Sequence, residues 1–263
     1  VTDMSNLFKD RTTFNEDISN WDVSSVTNMD GMFWRAHVFN PNLSSWDVSS
    51  VTSMNQMFRV AKAFNQDLLS WDVSSVTNMG GLFNGAYAFE GDISSWDVSS
   101  VTVMGYMFYG TKFNRDISSW DVSKVTNTWR MFERNGSFNQ DLSSWNFASL
   151  SDMRYMFNIA SSFNQNLCAW GSRIPETALV LDTFISSSCP STNDPDLSST
   201  TPGPFCHVCE QQTVITPSAT AQLSSQFECL TDICSASGAL ILPKGEASLA
   251  IDGNTDGIYS SGT

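Results

Sequence analysis

The fold class this sequence predicts is an α/β solenoid of parallel stacked coils, each about 25 residues long, and three observations predict it. Trp21, Trp46, Trp71, Trp96, Trp120, Trp145 and Trp170 recur every 25 residues, with one interval of 24. Two phenylalanine columns keep the same period: Phe14, Phe39, Phe64, Phe89, Phe113, Phe138 and Phe163, and Phe8, Phe33, Phe58, Phe83, Phe108, Phe132 and Phe157. A fourth column alternates Ile and Leu, as Ile18, Leu43, Leu68, Ile93, Ile117, Leu142 and Leu167. Units that repeat at this length bury their apolar faces only by stacking on their neighbours.

Each element of the unit follows from local patterning. In the unit from Leu43, Trp46 and Val48 flank Asp47, an alternation that predicts a short strand with the two apolar side chains inward. Ser49-Ser50 interrupts it and offers hydroxyls to cap a helix start. Val51, Met54, Met57 and Phe58 then fall at i, i+3, i+6 and i+7, the stripe of about two helical turns. Phe64-Asn65 closes the loop. One short strand plus one short helix per coil makes the predicted solenoid leucine-rich-repeat-like. The tryptophans sit inward in this scheme, where each ring buries on the order of 150–250 Å².

Composition restricts the function. The chain carries 13 Lys+Arg against 27 Asp+Glu, a formal net charge of −14. Such a balance disfavours nucleic acid, whose binding depends on neutralising phosphates. It suits basic proteins, cations or solubility. No apolar run is long enough for a membrane span. The chain opens in mid-unit at Val1-Thr2-Asp3-Met4 and is read as a fragment or mature piece. With only His37 and His207 and no phosphate-cradling loop or nucleophile elbow, no enzyme is expected.

On the exposed side, Asp22, Asp47, Asp72, Asp97 and Asp121 form an acidic ladder with a predicted spacing of roughly 4.8 Å. A second column runs through Asp17, Asp67, Asp92, Asp116 and Asp141. Three uses compete: turn and cap support through the following serines, a distributed Ca²⁺-binding face, or recognition of a basic partner. Otherwise no cofactor is expected. Specificity is sought in the positions that vary between units, including Trp34-Arg35, Arg59-Val60, Asn84-Gly85, Tyr109-Gly110 and Glu133-Arg134. Two N-x-[ST] sequons occur, at Asn135 in a Gly-containing loop, the favoured acceptor, and at Asn42 beside the strand.

The seventh unit breaks the rule after Leu167-Cys168-Ala169-Trp170, and all 6 cysteines lie from Cys168 onward. This predicts an oxidising compartment and a disulfide from Cys168 to Cys189 that staples the last coil. Cys206-His207-Val208-Cys209, with Cys229 and Cys234, leaves disulfides, a zinc site and thiol exchange open. The expected division is a solenoid with stapled cap over residues 1–190, a Cys-containing linker over 191–213, and an incomplete or poorly ordered tail over 214–263.

The repeated text F-N-x-D-[IL]-S-x-W-D-V-S-S-V-T-x-M-x-x-M-F resembles the bacterial surface protein A-like leucine-rich-repeat family, over residues 1–190 and most specifically to about residue 167. That resemblance implies a surface-located solenoid, associated with adhesion in some members, with no catalytic residues to transfer. More faintly, Ala219 to Ser225 and Ala247 to Gly257 resemble the opening of a discoidin or fucolectin-type domain. The likeness implies Asp252, Asn254 and Asp256 as candidate Ca²⁺ ligands. The expected function is an extracellular or cell-surface monomer for adhesion, with an unknown surface protein or glycan as partner. The alternative is a structural spacer presenting a distal carbohydrate-binding domain.

Overall fold

The computed structural model describes residues 1–209 together with the strand pairs β1 (Val214–Ile215) and β2 (Leu240–Ile241). Two compact units divide the chain, Val1–Cys209 and Glu210–Thr263. In the second, β1 and β2 pair antiparallel, Val214 opposite Ile241 and Ile215 opposite Leu240.

The first unit overturns the predicted elements. Among the described residues there is no α-helix; the single helical element is a 3-10 helix at Cys168–Ser172. The α/β class, and the labels leucine-rich repeat, solenoid and repeat in the sense of recurring strands and helices, therefore do not apply. Successive 25-residue segments instead meet through isolated parallel bridges: Asp3 to Asn28, then Ser53, Asn78, Val103, Asn127, Asp152 and Leu179. Between bridges the chain runs in turns.

The backbone hydrogen bonds give the reason. An α-helix over Val51–Phe58 would require each N–H to reach back four residues. Here alternate N–H groups are donated sideways to the next segment: Met54 to Asn78 O, Gln56 to Gly80 O, Phe58 to Leu82 O and Val60 to Asn84 O. Several of those between close tight turns, Met57 to Met54 O, Arg59 to Gln56 O and Ala61 to Phe58 O. Gln56 and Val60 both sit at positive φ, 58° and 57°, and so do Tyr106, Arg130, Arg134, Tyr155 and Ile159 at equivalent places. A right-handed helix cannot pass through such residues. The strand fails for a related reason: Trp46 N donates to Leu43 O, a turn bond, so Trp-Asp-Val bends instead of pairing.

Packing runs along the columns. Trp46 and Trp71 stack at 6.5 Å with planes 3° apart, and Phe33 and Phe58 at 5.5 Å and 9°. Within a segment Phe58 lies 3.9 Å from Phe64. From Trp46 to Trp170 every ring of the tryptophan column is at most 3% exposed, whereas Trp21 at the first segment is 39% exposed. Burying an indole requires a partner for its N–H. The carbonyl 28 residues back supplies it: Trp46 to Ile18, Trp71 to Leu43, Trp96 to Leu68, Trp145 to Ile117 and Trp170 to Leu142. Trp120 Nε1 has no partner, in the segment where the interval shortens to 24 residues.

The far end is closed by residues expected to be linker. Leu197, Phe205 and Cys206 are buried, and Phe205 meets Trp170 edge-on at 6.3 Å. Asp194 accepts the N–H groups of Asp182 and Thr183, backbone donors on the outermost segment. The expected boundary at residue 190 thus moves to Cys209, because this returning strap caps the stack.

Candidate functional site

Asp22, Asp47, Asp72, Asp97 and Asp121 are all exposed, and each accepts the N–H two residues on, from Ser24, Ser49, Ser74, Ser99 and Ser123. Ser24, Ser49 and Ser74 also donate their hydroxyls. The serine hydroxyl, then its N–H, holds the Asp22, Asp47, Asp97 and Asp121 carboxyls below their ordinary value of 3.8. Repulsion from the neighbouring aspartate opposes this at Asp47 and Asp97 and loses. In the second column Asp17, Asp92 and Asp116 are lowered the same way, chiefly by serine N–H groups. Among the described residues no group of three or more His, Cys, Asp or Glu is arranged to hold a metal ion.

These carboxylates bind protons less tightly folded than unfolded, so each contributes stability that is complete above the unfolded value. That contribution is lost as pH falls through the lowered folded value. The melting temperature is therefore expected to be level above about pH 5 and to fall steadily below about pH 4. Thermal melts across this range check it; a melting temperature unchanged down to about pH 2 would contradict the assignment of these hydrogen bonds.

Two other assignments are corrected. Asn135, the favoured glycosylation acceptor, is fully buried: its Nδ2 donates to Thr111 Oγ1 and Phe113 O, and its Oδ1 accepts from Ser137 and Phe138 N–H. It bridges the segment shortened by one residue and offers nothing to a modifying enzyme. Asn42 is exposed, with its Oδ1 accepting Ser44 N–H. The expected Cys168–Cys189 disulfide does not form. Cys168 pairs with Cys209 and Cys189 with Cys206, because the strap folds back over the last segment and brings both later cysteines within reach. With both partners so engaged, Cys206-x-x-Cys209 is neither a zinc site nor an exchange motif. Cys229, Cys234, Asp252, Asn254 and Asp256, with the discoidin-like stretch, lie outside the described residues.

The concentration of recognition chemistry lies elsewhere, on the face formed by residues 4–10, 29–35, 54–60, 79–85, 104–110, 128–134 and 153–159. Its buried positions are nearly constant and its outward ones vary freely. Lys9, Arg35, Arg59, Arg130, Arg134 and Arg154 all stand here, six of the chain's 13 Lys and Arg. In the first cluster Lys9 Nζ lies 3.9 Å from the Trp34 ring centre and Arg59 Cζ 4.7 Å, with Arg35 at 5.8 Å. Arg35 pairs with Asp10 at 3.3 Å, both more than half exposed. Among the described residues neither Lys9 nor Arg59 has a carboxylate partner.

The second cluster is built around Arg130, which lies 4.5 Å from the Tyr155 ring centre, 5.4 Å from Trp129 and 5.9 Å from Tyr106. Its charge is met by the buried Glu133 at 2.7 Å. Arg154 is likewise satisfied by Asp152 through two bonds of 3.0 and 2.7 Å. Desolvation raises the Tyr106 phenol, keeping it a hydrogen-bond donor. Four buried donors on this face lack partners: Trp34 Nε1, Arg59 Nε, Trp129 Nε1 and Arg130 Nε. Two shallow polar clefts lie outside this face, among Asn, Asp and Ser side chains, one beside Asn15, Asp17 and Asn42, the other beside Asp116, Gln140 and Asp141; neither is lined by an aromatic ring or a cation. The sequence pointed to Trp34, Arg35, Arg59, Tyr109 and Glu133-Arg134 but missed Lys9, Tyr106, Trp129, Arg130 and Tyr155. Reading those segments as helix concealed that the variable positions inside and just after the M-x-x-[ML]-F text share one surface.

The fold and this face together define a turn-built stack with one variable, aromatic and cationic side. The chain belongs to the family described as Mycoplasma protein of unknown function, DUF285, whose model matches residues 1–90 and 67–170. No curated protein and no solved structure matches it. The resemblance to the surface protein A-like leucine-rich-repeat family is accordingly set aside: the family shown is this one, and strand-plus-helix units are absent among the described residues. No helix among the described residues is long and apolar enough to cross a membrane.

Proposed function

We propose that this is a non-enzymatic binding protein of the cell exterior that engages a surface protein or glycan through its variable face. The observation that carries the reading is the gathering of six cations and the rings of Trp34, Tyr106, Trp129 and Tyr155 on one side of a chain of net charge −14. Variable side chains on a rigid support are how a fixed fold acquires specificity. Aromatic rings and arginine are also the residue types that dominate binding energy at interfaces. Two disulfides fit an oxidising location. The acidic remainder of the surface makes nucleic acid a poor partner.

Saturable binding of the full chain to intact cells or extracellular matrix is the expected result. Replacing Arg59, Trp129 and Tyr155 by alanine together should weaken it at least about tenfold, by the usual cost of losing such anchors. The variant's melting temperature and tryptophan fluorescence establish that it remains folded. Undiminished binding by the folded variant would assign the contact to another face, and absence of any saturable binding would leave a spacer role.

A further inference from the structure

Resting on that reading, we infer that Lys9, Trp34 and Arg59 form an anion-binding subsite, and that the ligand of this face is a linear acidic polysaccharide. The three residues occupy equivalent positions in consecutive segments, so the indole is reached by a cation from the segment before and from the segment after. Cation–π contact fixes the ammonium and the guanidinium in place without neutralising them. Carboxylates on the same face are already engaged: Asp10 pairs with Arg35, and Asp30 accepts Ser53 Oγ and Asn55 N–H. Arg59 donates Nη1 to Gln56 Oε1, a neutral acceptor, while its Nε is buried without a partner. The cost of ordering two long cationic side chains is thus met before any ligand arrives.

The geometry also selects the polymer. The charged ends of Lys9 and Arg59 lie 3.9 and 4.7 Å from the centre of the one Trp34 ring between them, close enough for two acid groups carried on neighbouring sugars of one chain to engage both. An acidic peptide is the less favoured occupant. Pairing with a peptide backbone needs a free strand edge, and the N–H groups of this face are consumed by the next segment: Asn6 to Asp30 O, Gly31 to Asn55 O and Gln56 to Gly80 O. A sugar chain needs only cations, amides and ring surfaces. Farther along the face, Arg130 is paired with Glu133 and Arg154 with Asp152, so the rings of Tyr106, Trp129 and Tyr155 offer a stacking surface for a sugar ring.

The test immobilises hyaluronan, chondroitin sulfate and alginate, with dextran as the neutral chain and poly-glutamate as the acidic peptide, and measures binding of the 263-residue chain. At least one acidic polysaccharide should bind, more weakly as salt rises, with dextran and poly-glutamate at least tenfold weaker. K9Q/R59Q should lose at least tenfold in affinity with an unchanged melting temperature. Binding that K9Q/R59Q leaves intact, or poly-glutamate binding as tightly, overturns the inference. Should no acidic polysaccharide bind while Arg59, Trp129 and Tyr155 still govern binding to cells, the inference fails and the broader proposal stands. If neither the polymers nor cells bind, both fail.

Discussion

Phe83→Ala is expected to destabilise the first unit by about 3–5 kcal/mol, at the upper end of what a buried phenylalanine costs. Phe83 is the meeting point of five rings: Phe89 at 3.7 Å, Phe58 at 5.7 Å, Phe108 at 6.0 Å, Trp96 at 6.4 Å and Phe64 at 6.5 Å. The size of the effect depends on whether the walls can close over the cavity. Here they are held apart by bonds between segments, Gly81 N–H to Gly105 O, Phe83 N–H to Met107 O and Gly85 N–H to Tyr109 O. Those bonds fix the segment spacing, so little collapse is available. Phe14→Ala at the half-buried first segment should cost markedly less. Urea unfolding followed by tryptophan fluorescence measures both. Equal midpoint shifts for the two variants would mean that the aromatic columns do not act as a continuous core.

That core was the legible part of the sequence. A column of identical residues at fixed spacing states which side chains share an environment, and burial of Phe33, Phe58, Trp46, Val48 and Met54 follows that assignment. Asp47 outward between Trp46 and Val48 was readable from alternation alone. The backbone between those points was not. Val51, Met54, Met57 and Phe58 at helical spacing also fit successive tight turns over 54–57, 56–59 and 58–61 with those four side chains inward. What decides between the two is where the N–H groups donate, and that depends on a neighbouring segment that periodicity does not describe. The positive φ of Gln56, Val60, Tyr106 and Arg130 is not legible at those residues, none of which is a glycine, but the same two columns carry Gly31 and Gly81, and Gly85 and Gly110, all at positive φ, a signal that the helical reading passed over. Once those turns are in place, the outward positions between buried ones form a single surface. This is why half of the candidate site was missed while its neighbours were noticed.

The cap was misread for a different reason, and its correction leads to the second large effect. Pro-, Ser- and Thr-rich text from residue 190 looks like linker, yet Leu197 and Phe205 are placed in it to cover the last segment. Their hold depends on covalent closure, because a strap with so few apolar side chains buries little area of its own. The Cys168–Cys209 bond spans 41 residues and encloses the Cys189–Cys206 bond, which spans 17. In the chain-entropy account their separate removal costs about 4 and about 3 kcal/mol, and less than the sum together, because one loop lies inside the other. Replacing all four of these cysteines by serine is therefore expected to release the strap and uncover Trp170, which is fully buried beneath Phe205. Asp194 would leave the N–H groups of Asp182 and Thr183, opening the end of the stack to exchange with water. Hydrogen exchange with peptide-level readout checks the sequence of events. Protection should fall first over residues 179–209 and then over 151–170, with the segments around Phe83 last. Loss of protection that begins instead at residues 79–108 would show that the strap is not what holds this end closed.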